Sequence, residues 1–145
     1  MTDTRMAPYA ALLLRLALGV MFLAHGLLKI MVFTPAGTAG FFASIGLPGW
    51  FAYPVMGAEV LGGLLLIAGI QTRYVALALV PVLVGSLWVH SGNGWLFSSE
   101  NGGWEYSLFL TFAALASAAL GDGAYSLKSL VNGNRSSTVS PASAV

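Results

Sequence analysis

The sequence predicts an all-α membrane protein: a four-transmembrane-helix bundle with a short interfacial helix in the first loop. Two observations lead to this fold class. Hydrophobic residues make up 57% of the 145-residue chain and charged residues 8%, whereas about a quarter of a soluble domain is charged. The apolar residues also form separate segments, each near the ~20 residues that a helix needs to cross the hydrocarbon core.

The four predicted spans follow in order, with connections of different kinds between them. The short "QTR" sequence after the second span predicts a tight helical hairpin with the third, which contains Pro81. In the first loop, Phe41, Phe42 and Ile45 fall at helical spacing, and Gly46 ends the pattern, so we expect a short helix lying at the interface. The predicted spans are residues 7–33, 52–70, 73–89 and 104–120.

We expect one transmembrane domain over residues 1–131 and a disordered cytoplasmic tail over residues 132–145, which is rich in serine. The net charge of +1 and the lack of a basic run argue against a nucleic-acid partner. The chain has no cysteine, which excludes disulfides and cysteine-ligated metal or iron–sulfur sites within it.

Basic residues in the loops and flanks predict the orientation. With four spans, Arg5, Arg73, Lys128 and Arg135 all fall on the same side of the membrane, and the loops on the other side contain no lysine or arginine. The positive-inside rule then places both termini and the short turn in the cytoplasm.

Five ionisable residues are expected to converge on the outer half of the bundle. From a rise of about 1.5 Å per residue, His25 lies ~12 Å, Lys29 ~6 Å and Glu59 ~10 Å below the outer ends of their spans. His90 ends the third span on that side, and Glu105 begins the fourth. Because charges inside a membrane usually pair and often have a function, these residues form a candidate ligand-binding or proton-handling cluster.

The residue types leave the role of this cluster open. Glu59 would either pair with Lys29 or His25 to hold the bundle together, or form a functional pocket with them, and one arrangement can do both. Lys29 has a simpler alternative, in which it extends outward to the interface, and solvated roles suit His90 and Glu105.

The chemistry of a histidine and a buried carboxylate suits proton exchange with a quinone-like ligand, or a proton relay. No compact ligand spacing predicts a metal site. A haem held by His25 and His90 is disfavoured, because their depths differ by ~12 Å.

Arg15 is the exception, because it falls in the inner half, ~12 Å from the inner end of the first span. We expect its side chain to extend to the inner phosphates. The alternatives are a long-range pairing with Glu59 or another structural role for a charge in the inner half.

Several ordered segments resemble the DoxX family of small four-helix inner-membrane proteins. They are "RLALGVMFLAHGLLKI", "FFASIGLPGW", "GAEVLGGLLLIAGIQTR", "GGWEYSLFL" and "GDGAYSLKSL", and together they extend over residues 15–130. The resemblance implies a bacterial inner (plasma) membrane protein labelled as an oxidoreductase or quinol-oxidase-related subunit. By position, His25, Lys29, Glu59 and Glu105 match the family's recurrent polar positions. Lys128 departs from the family, which commonly has an acidic residue there.

The leading hypothesis from the sequence is therefore a redox-linked, quinone-associated subunit with a polar pocket in the outer half of the bundle. Quinone is the cofactor that the hypothesis implies, and the bilayer, redox proteins and a second copy of the chain are the partners. The alternatives are a non-enzymatic membrane partner or assembly subunit, and a small transporter or permeability factor. The sequence assigns no catalytic residue and leaves open whether the chain is itself an enzyme.

Overall fold

The computed structural model describes residues 4–127, and all regular secondary structure in that range is helical. The five α-helices there are α1 (Ala7–Met31), α2 (Pro35–Ser44), α3 (Ala52–Ala68), α4 (Thr72–His90) and α5 (Glu105–Leu120), and a 3₁₀ turn at Gly49–Phe51 leads into α3. The all-α prediction is confirmed, and the helix bounds lie close to those of the predicted spans. The predicted tail, together with Lys128 and Arg135, lies outside the described residues.

Three helical segments within residues 4–127 are long and apolar enough to cross a membrane. They are Ala7–Met31, the continuous segment Gly49–Ala68, and Thr72–His90. Helix α5 is apolar but has only 16 residues. Large apolar side chains on the outside of the bundle, such as Leu13 and Phe109, are mostly exposed, as expected where lipid replaces water as the solvent.

One apolar core lies between helices α1, α3, α4 and α5. Helix α1 packs mainly against α3, and α4 against α5, while contacts between α3 and α4 and between α1 and α5 close the ring. The 3₁₀ turn and α2 pack together beside α3. The buried core residues include Leu18, Phe22, Leu66, Leu79, Leu83 and Ala114.

Glycines set the close approach of α1 and α3. A Cβ atom added at Gly63 would lie 2.7 Å from both the carbonyl oxygen of Gly19 and the backbone nitrogen of Leu23. One added at Gly26 would lie 2.7 Å from the Cγ2 atom of Val60. The two backbones therefore touch where no side chain separates them, and the glycine-lined face of α1 lies inside the bundle.

The helix in the first loop begins earlier than the sequence pattern indicated. Thr34 caps it, with Oγ1 accepting a hydrogen bond from Gly37 N at 3.1 Å, and Pro35 occupies the first turn, where its missing N–H costs nothing. The hydroxyl of Thr38 donates to the carbonyl of Lys29 at 3.1 Å, which ties α2 to the end of α1.

At one end of the bundle α3 turns directly into α4; we call this the hairpin end and the opposite end the loop end. Gly69, with φ +67°, terminates α3. The carboxylate of Asp122, which follows α5, accepts from Thr72 N at 2.8 Å and so caps the start of α4. In return, Arg73 Nε donates to the carbonyl of Ala118 near the end of α5 at 3.1 Å. The start of α4 and the end of α5 thus supply hydrogen-bond partners for each other's free backbone groups.

Candidate functional site

Lys29 on α1 and Glu59 on α3 form an ion pair between the two helices. The ammonium nitrogen of Lys29 lies 2.8 Å from each carboxylate oxygen of Glu59. The Glu59 side chain is 6% exposed and that of Lys29 is 23% exposed. The result is a two-pronged ion pair between α1 and α3, buried on the acidic side and partly open on the basic side.

Side-chain direction explains why this lysine meets this glutamate. In an α-helix the side chains lean toward the N-terminus. Helices α1 and α3 run in opposite directions, so Lys29 leans toward the hairpin end and Glu59 toward the loop end. The two side chains converge although the depths of their backbone positions differ. The sequence left Lys29, His25 and Arg15 open as partners of Glu59, and the structure pairs it with Lys29.

His25 lies one turn before Lys29 and faces α5. Its Nδ1 atom is 2.9 Å from the carbonyl oxygen of Met21, and its ring stacks on that of Tyr106, with 6.2 Å between the ring centroids. Because a carbonyl oxygen only accepts, we assign the proton to Nδ1, which leaves Nε2 as an acceptor in the neutral ring. The ring is therefore fixed between the end of its own helical turn and the ring of Tyr106 on α5.

His90 is held in the same way at the end of α4. Its Nδ1 atom lies 2.8 Å from the carbonyl oxygen of Ser86, and the hydroxyls of Ser86 and Ser107 are 2.8 Å apart. The buried Ser107 thereby links α5 to α4. Sequence reasoning missed both serines, although a hydroxyl in an apolar span is itself a signal for an interhelical hydrogen bond.

Glu105 begins α5 and holds in place the loop between α4 and α5, residues 91–104, which we call the third loop. Its Oε1 atom accepts from Phe97 N at 2.8 Å, and its backbone nitrogen donates to the carbonyl of Trp95 at 3.1 Å. Trp95 packs edge-to-face on Trp104, with ring centroids 4.5 Å apart. The loop is thus folded back against the start of α5.

A hollow of about 490 Å³ lies beside this loop and is open to the surface. Sequence reasoning missed it, although Glu105, Leu108, Phe109 and Phe112 recur at the three- and four-residue spacing of a single helix face. Its lining residues are Trp95, Phe97, Glu105, Tyr106, Leu108, Phe109 and Phe112.

Arg15 does not extend to lipid phosphates, and this corrects the expectation from its depth. The residue is 1% exposed, and its guanidinium donates to the carbonyls of Leu66, Ile67, Ala124 and Tyr125 at 2.7–3.1 Å. It is not paired with Glu59, which is held by Lys29. The charge lies instead at the C-terminal end of α3, where the helix dipole and the last carbonyls of the helix favour a cation.

The five residues predicted to form one cluster are distributed over separate contacts in the structure. Among residues 4–127, the Lys29–Glu59 pair is the one hydrogen bond or ion pair that joins two of the five candidates to each other. His25 faces Tyr106, His90 faces the serine pair, and Glu105 faces the loop. In the same range, no group of three or more His, Cys, Asp or Glu side chains is arranged to hold a metal ion.

The fold and the buried ion pair define the class: a helical membrane protein that keeps charged side chains between its helices. The chain belongs to the DoxX family, whose model matches residues 10–92, which confirms the resemblance noted from the sequence motifs. It is also similar to a Bacillus subtilis (strain 168) protein named "Putative oxidoreductase CatD". The two are 41% identical over 76 residues, 52% of this chain and 55% of that relative.

The match therefore spans about half the length of that curated relative. No solved structure matches the chain.

Proposed function

We propose that this DoxX-family protein is a redox-linked, quinone-associated subunit with a polar site in the outer half of a four-span bundle. The observation that carries the proposal is the Lys29–Glu59 ion pair, with His25 one turn away on the same helix. Charges buried in a membrane bundle commonly mark proton or substrate pathways. The name of the similar Bacillus subtilis protein supports a redox role.

The proposed topology places the chain in the bacterial inner membrane with both termini in the cytoplasm. Helix α5 serves as the fourth span, because it is apolar and completes the ring with α1 and α4. Arg5 and Arg73 lie at the hairpin end, which is therefore the cytoplasmic side. The loop end, with Lys29, Glu59 and the short helix α2, then faces outward, and α2 lies at the interface.

In this proposal the ion pair and the histidine handle the protons of quinone chemistry. Reduction of a quinone to a quinol takes up electrons and protons in pairs, and the electrons come from a redox protein partner. The partly exposed ammonium of Lys29 would help to hold a bound quinone and would favour negative charge on it. Glu59 and the acceptor nitrogen of His25 would take up protons from the outer aqueous side and pass them to the bound quinone.

The test is purification in a mild detergent, followed by an absorption spectrum and extraction of bound quinone. We expect quinone to accompany the wild-type protein and the charge-neutral double variant Lys29→Met, Glu59→Gln to lose it while its unfolding midpoint stays close to that of the wild type. Glu100→Gln, an exposed loop residue, is the control and should retain it. Protein that carries no quinone and binds no added quinone analogue would contradict the proposal.

A second candidate is a non-enzymatic membrane partner or assembly subunit. It is favoured by one observation: Lys29 already occupies both oxygens of Glu59, so the pair is satisfied without any ligand. In that case the same purification yields a stable protein partner and no quinone, and Glu59→Gln lowers the yield of folded protein while the protein that does fold keeps its partner.

A further inference from the structure

The hollow beside the third loop combines one acidic side chain with a mainly aromatic wall. Of its described lining residues, Glu105 is the charged one, and Trp95, Phe97, Tyr106, Phe109 and Phe112 supply rings. Its volume of about 490 Å³ falls in the range of small-molecule sites, which is roughly 300–1,000 Å³.

The charge of Glu105 has no cationic partner within residues 4–127. The carboxylate accepts one hydrogen bond, from Phe97 N to Oε1, and none of those residues forms an ion pair with it within 4.0 Å. The lining itself contains no lysine, arginine or histidine. The N-terminal end of α5 offsets part of this charge, because Glu105 lies in the first turn of the helix. The remaining negative potential at this apolar surface attracts cations.

The aromatic wall favours the same sign of charge. The faces of Trp, Tyr and Phe rings carry partial negative charge, and they attract ammonium-like groups most strongly where water is displaced. Leu108, Phe109 and Phe112 continue the surface along α5 beyond Glu105. The hollow thus offers a negative, ring-lined part and an apolar part next to it.

From this arrangement we propose that the hollow binds a lipophilic organic cation, a small molecule whose positive centre is surrounded by aromatic or alkyl groups. A zwitterionic phospholipid fits less well, because its phosphate would find no basic side chain in the lining. The site uses neither the Lys29–Glu59 ion pair nor the His25 ring, although Tyr106 of its lining stacks on His25, and phosphonium binding is measured without reference to quinone.

The test compares two probes of the same shape and opposite charge, tetraphenylphosphonium and tetraphenylborate. Binding to the purified full-length protein in a mild non-ionic detergent is measured by titration calorimetry. We expect the phosphonium to bind and the borate not to. Glu105→Gln should weaken phosphonium binding by about tenfold or more, since it removes the charge. The variant keeps an oxygen that can accept from Phe97 N, so the loop is retained.

Glu100→Gln is the matched control, because it removes an equal charge from an exposed position of the same loop and should leave phosphonium binding unchanged. A second variant, Trp95→Leu, should weaken binding severalfold through loss of the ring. Unfolding midpoints of all variants show whether each is folded. Equal binding of both probes, unchanged binding by Glu105→Gln, or a co-purified phospholipid that the phosphonium does not displace would each overturn the proposal.

Discussion

At the scale of single residues, the partner of Glu59 is decided by side-chain direction. Backbone depth alone placed Glu59 nearest to His25, yet its carboxylate is bound by Lys29 at 2.8 Å. A lysine side chain that leans back along its helix bridges the difference in depth. The sequence therefore identified the ionisable residues of this part of the bundle. An estimate of backbone depth could not identify which of them pair.

Replacing Glu59 alone should destabilise the bundle. Glu59→Gln leaves the Lys29 ammonium without its counter-charge, and because that side chain is partly exposed we expect a loss of roughly 1–3 kcal/mol rather than the larger cost of a fully buried charge. The midpoint of thermal unfolding in detergent measures it.

The double variant Lys29→Met, Glu59→Gln is the control, since it removes both charges together and should recover most of the loss. If the single and double variants unfold at the same temperature, an unpaired charge is not the cause.

Arg15 carries a different lesson at the residue scale. Its partners are main-chain carbonyls 51 to 110 positions away in the sequence. A carbonyl is present at every residue, so no residue type marks such a partner in advance. The charge itself was evident from the sequence, whereas its environment depended on where α3 ends and where the chain after α5 returns.

Arg15→Met should be one of the most destabilising substitutions in the chain. It removes the donors of four carbonyls at once, and we expect a loss of roughly 3–5 kcal/mol. Arg15→Lys should recover part of it through a smaller set of donors.

Arg73→Met is the comparison, because this exposed arginine also contacts helix-end carbonyls but should cost only about 0–1 kcal/mol. Similar unfolding midpoints for Arg15→Met and Arg73→Met would show that burial of the guanidinium is unimportant.

At the scale of helices, the apolar segments predicted the helix bounds closely, because the ends coincide with turn-forming residues such as Gly69. The contact between α1 and α3 is made by faces that carry small residues. Its tightness depends on Gly63 meeting the backbone of α1 directly, which the spacing of glycines suggests but does not measure.

Gly63→Ala should destabilise the protein, because the added methyl group would press on the Gly19 carbonyl and the Leu23 nitrogen. We expect a loss of roughly 1–3 kcal/mol from overpacking, measured by thermal unfolding. Gly57→Ala, on the same helix but with nothing within 4 Å of the added atom, should instead be neutral or stabilising by up to about 1 kcal/mol. The hypothesis fails if both variants shift stability in the same direction.

At the scale of the whole molecule, the segment after α5 closes the hairpin end. Ala124 N donates to the carbonyl of Pro8 at 2.9 Å, Asp122 caps α4, and Arg15 binds the carbonyls of Ala124 and Tyr125. The sequence predicted that the domain extends beyond α5, but not that the residues after α5 contact α1 and α4.

Asp122→Ala should destabilise this closure. It removes the acceptor for Thr72 N, and loss of such a helix cap costs about 0.5–2 kcal/mol. Asp122→Asn keeps an acceptor oxygen and should cost less. Hydrogen exchange at the first turn of α4 is the measurement, with faster exchange expected in Asp122→Ala. Exchange that is faster instead throughout the bundle would contradict a local capping role.

The Arg15 contacts also have a consequence for biosynthesis. A ribosome adds Ala124 and Tyr125 after the five helices have been made, so the guanidinium cannot complete its set of partners until the segment after α5 has been synthesised. A chain that stops at residue 120 would contain all five helices, with the Arg15 donors only half satisfied. We expect membrane proteases to degrade that product faster than the full-length protein, because complete packing depends on the segment that follows α5.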